Sequence, residues 1–239
     1  MDHPGIRWLR SAIDALLPCA CAGCGAAAPE GCVLCDRCEA LVSPIAADAC
    51  PRCQLHRAGA GPCAEIGPLD AAVAAVWLEP PVTDWIHAFK YPPRGLRGLA
   101  PGPLALVAEL AARSARRAPD WAPELVVPVP LHPRRLRARG FNPALVVARA
   151  VARIAAAPLA PTALERVRDT PSQTGLSAAA RRRNVRGALR ARGAVPARVW
   201  LVDDVVTTGA TLREAARALR RAGARSIVAV AAARTPAAR

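Results

Sequence analysis

Four short runs of apolar residues are spread along the chain, and helical patterns lie between them. Runs that are apolar at nearly every position are typical of parallel strands buried on both faces. An alternation of such strands with helices predicts an α/β fold in which helices flank one parallel sheet. The predicted strands are Ala71–Leu78, Leu125–Pro130, Val199–Val202 and Ser226–Ala233.

Apolar residues at helical spacing occupy the intervals between these strands. A threonine or aspartate cap is expected to begin the first helix, and Gly223 to end the last. By contrast, the segment 166–189 is rich in arginine and hydroxyl residues, which predicts a long loop of the kind that forms lids. The predicted helices are Thr83–Tyr91, Pro103–Arg116, Pro143–Ala156 and one that buries Leu212, Ala215, Ala216 and Leu219.

The first 18 residues are apolar at helical spacing, but Arg10 and Asp14 interrupt the apolar run. We interpret this segment as an amphipathic helix that Pro18 ends, because a signal peptide has an uninterrupted apolar region. No run of 18 apolar residues free of charge and proline occurs in the sequence, so no transmembrane helix is predicted. The expected location of the protein is therefore the cytoplasm.

All nine cysteines lie between Cys19 and Cys63. In a reducing compartment such clustering favours metal binding over disulfides. The first group has the pattern C-x2-C-x10-C-x2-C, in which each C-x2-C pair can place two thiolates on one tetrahedral ion. This spacing predicts a structural zinc site formed by Cys21, Cys24, Cys35 and Cys38.

A second group contains only three cysteines, Cys50, Cys53 and Cys63, and Ile66 stands where a fourth is expected. His56 could complete a Cys3His site, and the alternative is a degenerate ribbon that has lost its metal. A module of about fifty residues with so few large apolar residues needs at least one ion to fold. Three segments are therefore expected, which are the helix at 1–18, a double zinc ribbon at 19–68 and the α/β domain at 69–239.

The most informative local pattern is VWLVDDVVTTGAT at Val199–Thr211. Glycine lets backbone amides approach a phosphate, threonine hydroxyls add donors, and a helix N-terminus favours an anion. The carboxylates of Asp203 and Asp204 would repel an adjacent phosphate, but they suit ribose hydroxyls with Mg²⁺ nearby. The pattern, which is neither a Walker loop nor GxGxxG, predicts a ribose 5′-phosphate site. Its predicted phosphate-binding residues are Thr207, Thr208, Gly209, Ala210 and Thr211.

Charge points to a second kind of ligand. The formal net charge is +15 and the pI is about 11.1, with 32 arginines and the single lysine Lys90. Such a balance favours polyanions, with nucleic acid as the first candidate and anionic lipid as the second. Lys90 is either a phosphate contact or an ordinary solvated lysine. A basic loop after Leu125–Pro130, at the same sheet edge as the acid pair, could bind a diphosphate or a nucleic-acid backbone through Arg134, Arg135, Arg137 and Arg139.

Taken together, these motifs resemble those of the ComF family, which are phosphoribosyltransferase-like proteins associated with competence for DNA uptake. The resemblance covers nearly the whole chain. It rests on five features in the family's order, which are the cysteine ribbons, FKY at Phe89–Tyr91, VPVPLHPRRLRARGFN at Val127–Asn142, the segment RDTPSQTGLSAAARRRNV, and LVDDVVTTGATL.

The resemblance implies a type I phosphoribosyltransferase fold behind an N-terminal double zinc ribbon. Zinc would be structural, and Mg²⁺ would accompany 5-phosphoribosyl-1-pyrophosphate (PRPP). The segment 166–184 would be a flexible loop over the active site. Two departures from the family pattern are Ile66 in the second ribbon and Pro143, which follows GFN in place of glutamine. The PRPP-binding residues would be Asp203, Asp204, Thr207, Thr208, Gly209 and Thr211, with the two aspartates as the catalytic pair.

Three functions are compatible with these features, because a phosphoribosyltransferase fold does not by itself establish turnover. A transferase would release diphosphate from PRPP to an unidentified acceptor, and a regulator would bind PRPP without turnover. An accessory protein of DNA uptake would bind single-stranded DNA and a helicase partner, and the resemblance favours this function. Between Leu131 and Arg198, 15 arginines face only Glu165 and Asp169, which predicts sequence-independent binding of single strands. The alternative is a solvated basic surface whose arginines serve only PRPP.

Overall fold

The computed structural model describes residues 20–56, 58–59, 63, 66–92, 101–119, 121–170 and 178–236. The helix predicted at 1–18 lies outside these residues, as do Cys19 and part of the predicted lid. Within the described ranges, no helix combines the length and the apolar character needed to cross a bilayer.

Helices and strands alternate along the described chain as the sequence predicts. The strands are β1 (Ala71–Val73), β2 (Val76–Trp77), β3 (Leu125–Pro128), β4 (Leu164–Arg166), β5 (Leu189–Ala191), β6 (Arg198–Val206) and β7 (Ser226–Arg234). The helices are α1 (Asp36–Glu39), α2 (Val82–Lys90), α3 (Pro101–Ala115), α4 (Pro133–Arg139), α5 (Pro143–Ile154), α6 (Ala178–Val185) and α7 (Ala210–Arg221).

The predicted parallel sheet is confirmed, with the strand order β1-β7-β6-β3 and every pair parallel. Strand β2 also pairs with β7 and continues the register of β1, so the predicted strand at 71–78 is present but interrupted. At this interruption, residues of the cysteine module form hydrogen bonds with the backbone of the strand. The amide of Ala74 donates to Gln54 Oε1 at 2.7 Å, and the carbonyl of Ala75 accepts from Ile45 at 2.9 Å.

Both faces of the sheet are buried, and successive residues of a strand alternate between them. In β6, Trp200 and Val202 face a core that contains α3, α5 and part of the first cysteine group. On the opposite face, Val199 and Leu201 join a core that contains α7 and the buried cysteines of the second group. The cysteine module therefore packs against both faces of the sheet.

The segment between β3 and α5 differs from the prediction, because the expected basic loop contains helix α4. Pro133 occupies the first turn of α4, and the side chain of His132 accepts a hydrogen bond from the amide of Arg134. Gly140 ends the helix in the left-handed conformation, with φ of 83°. The prediction of a side-chain cap on the first long helix was also wrong, since α2 begins after Pro81 with no such cap.

The segment predicted as a lid loop contains secondary structure on both sides of 171–177, which lie outside the described residues. Strand β4 pairs antiparallel with β5, and α6 lies between them in the sequence. Leu164, Val185 and Leu189 are buried, which the polar composition of the segment did not indicate. These apolar contacts make the hairpin and helix, which we call the hood (residues 164–170 and 178–191), a packed element.

Candidate functional site

Asp203 and Asp204, which we call the acid pair, lie within the last four residues of strand β6. The sequence had predicted that they follow the end of the strand. Strand β6 continues to pair with β7 as far as Val206, which lies opposite Arg234. Because adjacent side chains of a strand point to opposite faces of the sheet, Asp203 and Asp204 have different neighbours. Asp204 faces the side of α2, and Asp203 faces the side of the hood.

Asp204 forms an ion pair with the single lysine of the chain. The Nζ atom of Lys90, at the last position of α2, lies 2.6 Å from Asp204 Oδ2. At this distance the ammonium group and the carboxylate form a close ion pair in a largely buried position. Lys90 therefore belongs to the site, whereas the sequence left open whether it was an ordinary solvated lysine.

Asp203 is half-buried, and its surroundings disfavour its charge. Burial is the main cause that raises its pKa well above the ordinary aspartate range, and the adjacent charge of Asp204 adds to the increase. The charge of Lys90 and the amide of Asp204, which donates to Asp203 Oδ1 at 2.9 Å, act in the opposite direction. A bound cation would relieve this repulsion, so the pair suits a divalent metal that arrives with a ligand.

Replacement of Asp203 by asparagine is expected to stabilise the unliganded protein at neutral pH. A carboxyl whose pKa is raised by folding contributes stability below its unfolded pKa and loses that contribution as the pH rises through its folded pKa. Asp203→Asn should therefore melt higher than the parent at pH 7 to 8, by roughly 2–4 °C for each kcal/mol of relieved repulsion. The difference should vanish below about pH 4, where aspartate is protonated even in the unfolded chain.

The measurement is the melting temperature across this pH range, with the exposed Asp84→Asn as the matched control. Equal melting temperatures of Asp203→Asn and the parent at pH 8 would contradict the assignment of a raised pKa to Asp203.

The loop that follows the acid pair turns directly into α7. Gly209 has φ of 69° and precedes the first residue of the helix, Ala210. A Cβ at Gly209 would lie 3.2 Å from Nη1 of Arg213, and the same nitrogen donates to the carbonyl of Thr208 at 2.9 Å. The hydroxyl of Thr208 is buried and has no partner among the described residues. An unpartnered hydroxyl beside a helix N-terminus fits an anionic ligand.

Two arginines from different elements meet at Thr170, and the charge of one of them, Arg166, interacts with that of Asp203. Arg166 ends β4 and is buried, and its Nη2 donates to Thr170 Oγ1 at 2.5 Å. Arg135 of α4 donates to the carbonyl of the same threonine. Burial and the charge of Arg135 lower the pKa of Arg166, whereas the charges of Asp203 and Asp169 raise it. The hood thus brings a guanidinium to the acid pair, a role that its sequence did not reveal.

The four arginines of α4 divide into two kinds. Arg135 and Arg139 make contacts within the protein, to the hood and to Tyr91 respectively. Arg134 and Arg137 are exposed, and the Arg134 side chain retains 80% of its accessible surface although it lies 3.6 Å from Asp169. The sequence offered all four arginines to a diphosphate or to a nucleic-acid backbone, and the structure leaves Arg134 and Arg137 on the exposed surface.

Three motifs that are distant in the sequence meet at this edge of the sheet, and they are FKY, RGFN and the acid pair. The rings of Phe89 and Phe141 pack edge to face with centroids 5.6 Å apart. Arg139 lies over the ring of Tyr91 at 4.7 Å and donates to its hydroxyl at 2.8 Å. Asn142 begins α5, and its side chain donates to the carbonyl of Val129 at 3.0 Å. These contacts place FKY and RGFN beside the acid pair.

The structure brings together both predicted cysteine groups, each with four ligand atoms within 4.8 Å of one another. We call them cluster 1 (Cys21, Cys24, Cys35, Cys38) and cluster 2 (Cys50, Cys53, His56, Cys63). A tetrahedral ion with bonds of about 2.3 Å to sulfur places neighbouring sulfurs about 3.8 Å apart. The corresponding distances are 3.7 Å for Cys24–Cys35 and 3.5 Å for Cys50–Cys63, and the Sγ of Cys53 lies 3.3 Å from Nε2 of His56. Both clusters could therefore hold zinc.

Backbone amides favour a thiolate in each cluster. Burial raises the pKa of Cys21, but hydrogen bonds from backbone amides outweigh it and bring the pKa to about 6. The amides of Cys35 and Gly23 lie 3.3 Å and 3.4 Å from that sulfur. The same balance of burial and backbone hydrogen bonds lowers the pKa of Cys50 to about 7. Each cluster thus has one sulfur prepared to bind a cation.

Comparisons with known proteins agree with the geometry. The phosphoribosyl transferase domain family matches residues 142–239. Competence protein F of Haemophilus influenzae is 39% identical over 129 residues, which cover 52% of this chain and 56% of that protein. DNA utilization protein YhgH of Escherichia coli K12 is 34% identical over 184 residues, which cover 74% of this chain and 80% of that protein. The protein of the same name in Salmonella typhi is 33% identical over 184 residues, with the same coverage.

Proposed function

The chain belongs to the competence protein F family, and from that premise we propose that it binds PRPP with Mg²⁺ and single-stranded DNA during DNA uptake for natural transformation. One observation carries the proposal. The carboxyl edge of one parallel sheet brings together the acid pair, the loop at 207–211, Lys90, and arginines of α4 and the hood. Ligands of open α/β sheets bind at this edge.

Each part of the ligand has a matching group. The amides of the loop, the Thr208 hydroxyl and the N-terminus of α7 suit the 5′-phosphate, and Asp203 and Asp204 suit the ribose hydroxyls. The diphosphate would face Lys90, Arg135 and Arg166. Asp203 and Asp204 would hold Mg²⁺ next to the diphosphate, and the ion would supply the positive charge that two adjacent carboxylates and a diphosphate require.

Turnover is a separate property from binding. Phosphoribosyl transfer breaks the bond between C1′ and the diphosphate oxygen and forms a bond from C1′ to an acceptor. The groups named above would position the anomeric carbon and stabilise the leaving diphosphate. Release of diphosphate in the presence of an acceptor distinguishes a transferase from a regulator that binds PRPP without turnover.

We propose that residues 19–68 form the ribbon module and residues 69–239 the phosphoribosyltransferase-like domain, with a structural zinc in each cluster. Elemental analysis of protein purified without added metal is expected to give close to two zinc ions per chain. Cys24→Ser and Cys63→Ser should each lose about one. A value below one in the parent would contradict the zinc assignment, and a value of one that Cys63→Ser leaves unchanged would show that cluster 2 is degenerate.

The experiment that tests the biological role is complementation in a transformable host that lacks this gene. The parent gene is expected to restore transformation, and a gene with Asp203→Ala and Asp204→Ala is expected to leave it at the level of the deletion strain. Immunoblotting should show equal amounts of both proteins. Full recovery by the double variant would contradict a role that depends on the nucleotide site, and would favour a scaffold.

A further inference from the structure

Tyr91 is the only tyrosine of the chain, and its ring lies on the surface beside the acid pair. It directly follows Lys90, whose Nζ atom lies 2.6 Å from Asp204 Oδ2. Tyr91 is 57% exposed, whereas every phenylalanine and tryptophan that the structure describes is buried or half-buried. Packing in the core therefore does not explain an aromatic ring at this position.

The contacts of Tyr91 hold its ring in one orientation. The Cζ atom of Arg139 lies 4.7 Å from the ring centroid, and its Nη2 donates to the tyrosine hydroxyl at 2.8 Å. On the side of α2, the ring of His87 lies 4.9 Å away with its plane inclined by 40°, and the amide of Tyr91 donates to the carbonyl of His87 at 2.9 Å. The ring and the guanidinium are thus ordered before a ligand binds, which lowers the entropic cost of binding.

The surface beside this pair is partly apolar and carries positive charge. Leu136 is 41% exposed and lies one turn before Arg139 on the same side of α4. Arg134 and Arg137 of the same helix are exposed, and α4 contains no acidic residue. The nearest acidic group to Arg134 is Asp169 of the hood at 3.6 Å, which leaves most of that arginine accessible. A ligand at this surface should therefore combine negative charge with a flat, weakly polar group.

A single strand of nucleic acid has this combination. Planar bases stack on tyrosine rings and on the planes of arginine guanidinium groups. A single strand presents an unpaired base beside every phosphate, whereas the bases of a duplex are paired and stacked on one another. An acidic peptide or an anionic lipid surface supplies negative charge without a regular series of planar groups. The chemistry of the surface therefore favours a single strand.

We propose that the Tyr91–Arg139 pair is a stacking platform for one unpaired base of single-stranded DNA, and that the exposed arginines of α4 contact the phosphates beside that base. The proposal rests on the proposed binding of single-stranded DNA by this protein. It places one base next to the acid pair. Because every base has a π face, the stacked base adds affinity without adding sequence preference.

The first test compares two labelled single strands of equal length, one with normal bases and one built from abasic sites. Tyr91→Leu is expected to bind the normal strand about tenfold more weakly than the parent, and the abasic strand as well as the parent does. Tyr91→Phe, which keeps the ring and removes the hydroxyl, should retain most of the affinity for the normal strand. Zinc content and melting temperature check that the variants are folded.

Three results of this comparison would overturn the proposal. An unchanged affinity of Tyr91→Leu for the normal strand would show that no base stacks on the ring. An equal loss on both strands would show that Tyr91 only holds Arg139 in place for a phosphate. A loss in Tyr91→Phe as large as that in Tyr91→Leu would assign the effect to the hydroxyl.

A second test uses the parent chain and does not depend on the folding of a variant. Protein labelled with fluorotyrosine should give a single fluorine resonance in the NMR spectrum, because Tyr91 is the only tyrosine. The ring current of a stacked base should shift this resonance when the normal single strand binds. The abasic strand and a duplex of the same sequence should leave it in place.

Binding of the normal strand without a shift would overturn the proposal. A shift caused by a free nucleobase in the presence of PRPP and Mg²⁺, but not by the strand, would also overturn it and would assign the pair to an acceptor. If the parent bound no single strand at all, the proposed DNA binding would be refuted and the platform with it. Binding of the strand that is indifferent to Tyr91 would refute the platform alone.

Discussion

The affinity for a single-stranded oligonucleotide is expected to fall by roughly two to three orders of magnitude between about 50 and 200 mM salt. Several arginines of this basic segment are exposed, and each one that contacts a phosphate releases counterions. Arg190 of the hood retains 71% of its side-chain surface, the nearby Arg192 retains 58%, and Arg134 retains 80%. The measurement is a fluorescence titration of a labelled oligonucleotide at the two salt concentrations.

Replacement of Arg134, Arg135, Arg137 and Arg139 by alanine should weaken this binding at least tenfold at the lower salt concentration. The matched control removes four exposed arginines elsewhere, Arg37, Arg116, Arg221 and Arg225, and so causes the same change in net charge. An equal loss in both variants would indicate a general effect of charge. Undetectable affinity at the lower salt concentration, or affinity that the α4 variant leaves unchanged, would contradict a DNA site at α4.

Sequence preference is expected to be slight. Phe141 is the only aromatic residue between Leu131 and Arg198, and its ring packs against Phe89. A ring engaged in that way is not a free platform for base stacking, so contacts to the sugar-phosphate backbone should dominate. Oligonucleotides of equal length and different composition should therefore bind with similar affinity.

Loss of both carboxylates of the acid pair should abolish PRPP binding. At a ligand concentration of about 100 times the Kd, binding stabilises a protein by about 2.7 kcal/mol, which corresponds to roughly 5–10 °C in a chain of this size. The parent is expected to show such an increase in Tm with PRPP and Mg²⁺. The variant with Asp203→Ala and Asp204→Ala should show none, because it lacks the acceptors for the ribose hydroxyls.

The control for this experiment is the variant with Asp36→Ala and Asp84→Ala, which removes two exposed carboxylates outside the site. It should retain the full increase in Tm. A ligand-dependent increase in the Asp203 and Asp204 variant equal to that of the parent would mean that PRPP is bound elsewhere.

The sequence was most informative where local pattern determines structure. Buried strands such as Val199–Val202 and the helix that contains Leu212 and Leu219 follow from apolar periodicity, and both were found. The cysteine spacing predicted the grouping of cluster 1, and the structure brings His56, a candidate ligand from the sequence, beside Cys53. Each of these features depends on residues that are near one another in the chain.

What the sequence did not reveal depends on contacts between distant segments. The ion pair of Lys90 with Asp204 joins residues more than a hundred positions apart, and no local pattern indicates it. Arg166, Arg213 and Arg234 could not be distinguished among 32 arginines, because their burial arises only when the hood and the cysteine module pack on the sheet. Helix α4 was missed because its many arginines were interpreted as a loop.

Calorimetric titration of the parent protein with PRPP, in the presence and absence of Mg²⁺, tests the central claim most directly. The account predicts one binding site per chain that requires Mg²⁺ and that inorganic diphosphate weakens by competition. If folded, zinc-loaded protein in the calorimeter gave no heat of binding with PRPP, the assignment of a phosphoribosyl site to this sheet edge would be contradicted.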